Sequence, residues 1–315
     1  MCDYNIVAGN RRILSNIQFR YRGMGGRTLL LAGSACKGLG GRISGQSKMK
    51  QVDYEGKRFP DSSFYAKLAN PASISGEDVA VVQSCITDQD IMELLVLEDM
   101  LKEAGAGKVV TVAPYFGGYA RQDRPFQPGE PISARALSKL FQAYSEVFIT
   151  VDAHSDQTMN HFDIPAMNLS PAEAMADYLQ AKKVDWVIAP DAGAKSRANR
   201  VASIMNVHAD YIKKKRIDSY TVEMDLTHID VDGKVVAVID DIISTGGTMI
   251  KASQELRKKG ARRVYALCTH GLFGVFHQGI IQNLKEFDVV CTDTIQTELS
   301  EVTVAGVIAD ALKEC

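Results

Sequence analysis

An apolar run that ends in two carboxylates and a hydroxyl- and glycine-rich turn is the segment of this chain best suited to chemistry. In VVAVIDDIISTGGTMIKASQEL the run reaches Asp240 and Asp241, and Ser244, Thr245, Gly246, Gly247 and Thr248 then open a helical pattern. The glycines let the backbone turn tightly and present successive N–H donors, and a helix start adds positive potential, so the turn is suited to cradle a phosphate. The three hydroxyls supply further donors. The aspartates can accept from the 2- and 3-hydroxyls of a ribose or help hold its metal ion. A plain helix cap needs one Ser or Thr and leaves the acidic pair unexplained, so the segment predicts a sugar-phosphate site.

Four other segments carry polar text at the ends of apolar runs: PYFGGYARQDR (114–124), VDAHSDQ (151–157), PDAGAKSRA (190–198) and YIKKKR (211–216). The Arg121 guanidinium suits bidentate contact with phosphate oxygens; a solvated Arg121/Arg124 face paired with Asp123 is the plainer reading. Gly193 to Arg197 form a second small turn entering a helix, fit to bind diphosphate. A lone His154 is more often structural than a ligand, and a run of four cations is usually a solvated loop.

The elements that position these segments follow from periodicity. Strands are expected at 78–84, 108–113, 146–151, 184–189, 208–212, 234–239 and 263–268, with Leu29–Ala32 as a short early strand. Helices are expected at 89–105, 133–143, 171–182, 195–206 and 247–259. Nearly continuous apolar strands alternating with helices imply an α/β fold with mostly parallel sheets covered on both faces. In such sheets ligands bind at the carboxyl ends of strands, where all these segments lie. The first 60 or so residues are broken by GMGG (23–26) and GLGGRISGQS (38–47) and show no long period.

A length of 315 residues with 46% apolar content supports two domains. The prolines of FDIPAMNLSP place the boundary near 165, giving domains 1–165 and 166–302 and a last helix within 303–315. With 36 basic and 38 acidic residues the net charge is -2, which argues against nucleic acid or an anionic membrane as partner. Six scattered cysteines without C-x-x-C signal neither a disulfide framework nor a thiolate metal site and fit a reducing cytoplasm. The opening MCDYNIVAGNRR lacks an apolar h-region, so export is not expected.

The T-G-G-T turn after two acidic and two apolar residues resembles the ribose 5-phosphate loop of phosphoribosyltransferases and of phosphoribosyl diphosphate synthetases. The order and spacing of PYFGGYARQDR, VDAHSDQ, HFDIP and PDAGAKSRA resemble the second group, ribose-phosphate diphosphokinase, from about Phe59 to the C-terminus. That resemblance implies two phosphoribosyltransferase-like domains, with the last helix packing back on the first. It implies transfer of the β,γ-diphosphoryl group of ATP to the 1-hydroxyl of ribose 5-phosphate, with Mg²⁺ as cofactor and a homo-oligomer, hexamer or dimer, as the assembly. By the same resemblance Arg121 and Gln122 bind ATP, and His154 and Asp191 serve the metal site. Asp240, Asp241, Ser244, Thr245, Gly246, Gly247 and Thr248 hold ribose 5-phosphate. Lys214 and Arg216 belong to a mobile catalytic arm, with Lys213 or Lys215 as the lysine if the register slips by one.

Three departures limit the resemblance. KRFPDSS (57–63) stands where many members have F-S-D-G-E in a hairpin that reads adenine; Phe59 can stack on a base and Asp61 can accept from its amino group, but Ser63 replaces the last carboxylate. PFQPGEPIS after YARQDR lacks the basic residues of the regulatory site, and GA stands in PDAGA where others have GG. A phosphoribosyltransferase needs only one such domain, and a non-catalytic regulatory subunit predicts lost site residues. No G-x-x-x-x-G-K-[ST] occurs, which excludes a P-loop kinase.

Overall fold

A computed structural model describes residues 5–7, 28–216, 222–273 and 280–315. The chain divides into two compact units, Met1–Ser170 with Val304–Cys315, and Pro171–Thr303. The GMGG text lies outside the described residues.

The first unit is built from strands β1 (Asn5–Val7), β2 (Leu29–Ala32), β3 (Lys50–Gln51), β4 (Tyr54–Arg58), β5 (Phe64–Leu68), β6 (Val79–Val82), β7 (Val109–Ala113), β8 (Val147–Val151) and β9 (Ala166–Leu169). Its helices are α1 (Lys37–Ser47), α2 (Asp88–Glu103), α3 (Ser133–Phe141) and the C-terminal α8 (Ala305–Glu314). Seven strands form one sheet in the order β1-β9-β8-β7-β6-β2-β3, while β4 and β5 form a separate antiparallel hairpin. Within the sheet only β1 runs antiparallel to its neighbour. The sequence boundary at 165 falls one residue before β9, whose pairing with β8 assigns it to this sheet.

Alternation along each strand sends side chains to two cores. Leu31, Val81, Val109 and Phe148 pack with Leu94, Leu97 and Leu101 of α2 and Phe141 of α3. Leu30, Val82, Val112 and Ile149 pack on the other face with Ile43 of α1 and Ile308 and Leu312 of α8. Both faces are therefore dry, which is why the strands read as unbroken apolar runs. Helix α1 was not legible, because it contains four of the glycines that interrupt the pattern. One of them explains itself: a Cβ on Gly40 would lie 2.4 Å from that of Ala32, so close packing of α1 on β2 requires glycine there.

In the second unit, α4 (Ala172–Ala181), β10 (Trp186–Ala189), α5 (Lys195–Met205), β11 (His208–Tyr211), β12 (Lys213–Arg216), β13 (Val222–Asp225), β14 (Val235–Ile243), α6 (Gly247–Lys258), β15 (Arg263–Gly271), α7 (Ile280–Glu286), β16 (Val289–Thr292) and β17 (Ser300–Val302) follow in order. A parallel sheet has the order β11-β10-β14-β15-β16-β17, and β12 and β13 pair as an antiparallel ribbon outside it. Again two cores form, one under α6 and α7 and one under α4 and α5. Strand β14 runs to Ile243, past the expected end at 239, because Asp240 and Ile242 stay in register with Cys268 and His270 of β15.

One buried acid sits in the first core. Glu98 of α2 accepts from the Thr111 hydroxyl on β7, with Ser145 alongside, and its Oε2 has no hydrogen-bond partner. Burial pushes its pKa from 4.5 up to about 8, and Lys102 offsets this only in part. Between those values the folded chain holds a proton that the unfolded chain has lost. The contribution to stability is thus full below about pH 4.5 and declines as the pH rises toward 8. Glu98→Gln, which mimics the protonated acid, is expected to raise the thermal midpoint at pH 9 and to leave it nearly unchanged at pH 4. Parallel melting curves of the two proteins check this.

Candidate active site

Helix α6 starts at a left-handed glycine. Gly246 is its N-cap with φ 75°, no side chain caps the helix, and its first turn contains no acid. The first amides of a helix have no partner within it; here no cap and no acid takes their place, so the turn is left as a donor array. A Cβ at Gly246 would lie 2.5 Å from Leu284 Cδ2, so glycine is required for space as well as for φ. Ser244, Thr245, Gly247 and Thr248 are exposed around it.

The acidic pair lies inside β14, so its two side chains leave the sheet on opposite faces. Asp241 is buried and its Oδ2 is 3.5 Å from Arg197 Nη2 of α5. Asp240 is raised well above the ordinary carboxylate value, first by burial, then by Asp241 and also by Asp191. Asp191 thus shares the field of the pair. Its Oδ1 accepts from the amides of Gly193 (3.0 Å) and Ala194 (3.4 Å), the turn that enters α5. The loops after β10 and β14 are neighbours at the place where the strand order reverses, where open α/β sheets bind ligands. The β12–β13 ribbon leaves β11 beyond Tyr211, whose ring lies under Lys195 Nζ at 4.8 Å. The main chain of Lys214 and Arg216 belongs to β12; their side chains lie outside the described residues.

Three segments of the first unit carry expected site residues. At the tip of the β4–β5 hairpin, the Ser63 amide and hydroxyl both donate to Asp61 Oδ1 (3.0 and 2.6 Å), which lowers the Asp61 pKa. Ser63, the departure from the acidic pattern, therefore orients the one carboxylate that remains. Phe59 is 45% exposed and meets Tyr65 edge-on at 6.3 Å. The hairpin is tied down by Glu93 of α2, only 1% exposed, which accepts from Arg58, from Tyr54 and from both the amide and hydroxyl of Ser34.

After β7, Gly117 (φ 108°) turns the chain into a single helical turn, Gly118–Arg121. Arg121 and Gln122 line a cavity of about 630 Å³ together with Tyr119, Phe126, Asp88 and Ser133, a size that suits a small-molecule ligand. Its polar wall is fixed by Tyr119, whose hydroxyl donates to Asp88 (2.9 Å) and whose carbonyl accepts from Ser133 (2.8 Å). Burial pushes the pKa of the neighbouring Cys85 thiol well up.

His154 is exposed in the loop after β8. That loop is shaped by Asp152 in the left-handed region (φ 46°) and by Asn168 of β9, which accepts from the Ala153 amide and donates to Asp156, both at 2.8 Å. Sequence reading did not single out Asn168, Asp88, Tyr119 or Phe126. For Asp88 a signal existed, the Thr87–Asp90 capping box at the start of α2. For Asn168 there was none, since its partners are set by the pairing of β8 and β9.

The model of the N-terminal domain of ribose phosphate pyrophosphokinase matches residues 28–144, and that of the phosphoribosyl transferase domain matches 160–304. The chain is 39% identical to a ribose-phosphate pyrophosphokinase of Pyrococcus abyssi, over 90% of this chain and 97% of the relative. It is 37% identical to one of Methanopyrus kandleri, over 90% and 98%. Among solved structures it is similar to phosphoribosylpyrophosphate synthetase from Mycobacterium smegmatis, with a TM-score of 0.79 and 27% identity over 91% of this chain and 98% of that one. Both halves and nearly the whole length agree, and the chain belongs to the ribose-phosphate pyrophosphokinase family.

Proposed function

We propose that the chain carries out the family's diphosphoryl transfer with the residues described above, the first unit serving ATP and the second ribose 5-phosphate. The ribose 1-oxygen attacks the β-phosphorus of ATP, the bond from that phosphorus to the α,β-bridging oxygen breaks, and AMP leaves while the 1-hydroxyl proton passes to solvent. The products are 5-phospho-α-D-ribose 1-diphosphate and AMP. The observation that carries the reading is the uncapped start of α6 at Gly246 beside the Asp240–Asp241 pair. Amides and hydroxyls of 244–248 receive the 5-phosphate, and the aspartates accept from the ribose hydroxyls.

Arg121 and Gln122 face a cavity that suits the nucleotide, and Phe59 and Asp61 supply a stacking face and an oriented acceptor for a base. Lys214 and Arg216 are the cations that stabilise charge developing on the transferring group; phosphoryl transfer depends on such positioning and neutralisation.

Among the described residues no three His, Cys, Asp or Glu side chains are grouped so as to hold a metal. That fits Mg²⁺, which keeps its waters and is bound through substrate phosphates with one or two protein groups. His154 is the candidate for such a contact within the first unit, and Asp191 is the candidate within the second. When bound, the ion would neutralise triphosphate charge.

A cytoplasmic location belongs to the same proposal and is supported by the five described cysteines, all buried thiols. Among the described residues no helix is long and apolar enough to cross a membrane. A homo-oligomer is supported by the exposed Phe59 and Tyr65 on the hairpin.

AMP is expected to appear only when ATP, Mg²⁺ and ribose 5-phosphate are all present, matched by the sugar diphosphate; AMP without the sugar would indicate hydrolysis instead. Lys214→Ala is expected to lower kcat by about 10²- to 10³-fold with little change in KM, and steady-state kinetics that show no loss would remove the arm from the mechanism. Asp240→Asn combined with Asp241→Asn should raise KM for ribose 5-phosphate; initial rates against sugar concentration read this directly.

A further inference from the structure

The loop that carries His154 is held from both sides by one side chain. Asn168 lies within β9, paired with Thr150 of β8 and with Asn5 of β1, so its backbone is fixed inside the sheet. Its amide oxygen accepts from the Ala153 N–H and its amide nitrogen donates to Asp156 Oδ1, each at 2.8 Å. These two contacts fall on the residue before His154 and on the second residue after it. The Asp152 N–H, one residue further back, donates to the carbonyl of Leu169 on the same strand (2.8 Å). Asp152 itself holds φ at 46°, a conformation that costs a non-glycine residue free energy unless its surroundings enforce it. On the far side the Ser155 hydroxyl accepts from the Gln157 amide, which starts the following helical turn.

We propose that Asn168 is a positioning residue for the transfer reaction, setting the main-chain path on which His154 meets the triphosphate and its ion. This rests on the role given to His154 above. A side chain at a reacting phosphate must be placed to within about half an ångström, and such placement comes from contacts behind it on rigid elements. Asn168 is suited to this because one planar amide offers an acceptor and a donor at once. A carboxylate of similar size could not serve both partners, since the Asp156 carboxylate only accepts and the Ala153 amide only donates. Asn168→Asp keeps the acceptor for Ala153 but sets a carboxylate against Asp156, whereas Asn168→Ala removes both contacts.

Purified full-length protein with ATP, Mg²⁺ and ribose 5-phosphate tests the inference. Asn168→Ala is expected to lower kcat by about 10- to 100-fold, with KM for ribose 5-phosphate within about twofold of the parent. The deciding comparison is with His154→Ala: in that background Asn168→Ala should cause no further loss, because the group it places is gone. Multiplying losses in the double variant would assign Asn168 a general structural role and overturn the proposal, as would full activity of Asn168→Ala. If Asn168→Ala does not fold, Asp156→Ala breaks one of the two contacts without touching β9, and an unchanged kcat there overturns it equally. A parent enzyme without activity, or a His154→Ala variant with full activity, would instead remove the reading of His154 and the inference with it.

Discussion

The amides at the start of α6 point out of the helix and cannot be satisfied within it. A Ser, Thr, Asp or Asn cap can meet this constraint; α1, α3, α4, α5 and α8 carry no side-chain cap, whereas α2 does so through Thr87 and Asp90. Helix α6 does not: its N-cap is a glycine, held left-handed and pressed against Leu284. The polar residues beside it, Ser244, Thr245 and Thr248, stay exposed rather than turning inward to cap. Under the proposed function an external anion would complete the turn. The rest of the second unit is arranged accordingly, with β14 and β15 in continuous register up to Ile243 to hold the turn in place.

The carboxylates around the turn sharpen the same point. Asp191, Asp240 and Asp241 share one field, and Asp240 retains its proton more readily than an ordinary aspartate because burial and its neighbours disfavour its charge. Arg197 Nη2 stands 3.5 Å from Asp241 Oδ2 on one side. Under the proposed function, donors at the helix start and acceptors in the strand just before it would meet the two ends of a sugar phosphate, one anionic and one rich in hydroxyls.

Much of this was legible in the text because parallel strands buried on both faces leave unbroken apolar runs, as in Val79–Val82 or Val109–Ala113. What was hidden has physical reasons. Helix α1 is masked by glycines, one of which is there for contact with Ala32 and not for a turn. The end of β14 was set too early because aspartates are poor strand formers, and only pairing with β15 keeps them extended. In the site, residue types and spacing marked the loops, since phosphate turns need glycine at fixed places. Asn168 was invisible for the opposite reason: its partners are distant in sequence and meet it only through the sheet.

The two sheets share a strand order, since β2 lies between β3 and β6 just as β10 lies between β11 and β14. The turn after β2, at Gly33 to Cys36, is thus the first unit's counterpart of the turn after β10. Its donors are already spoken for: the Ser34 amide bonds to Glu93 and the Ala35 amide to Gln83. Glu93 thus takes up donors of this turn from within the chain, and the same carboxylate anchors the hairpin through Arg58. A repeated architecture has in this way been made asymmetric by one glutamate. The first unit's turn is bonded to side chains from distant parts of the chain, Glu93 and Gln83, whereas the amides of its counterpart, Gly193 and Ala194, bond to Asp191 within the turn itself.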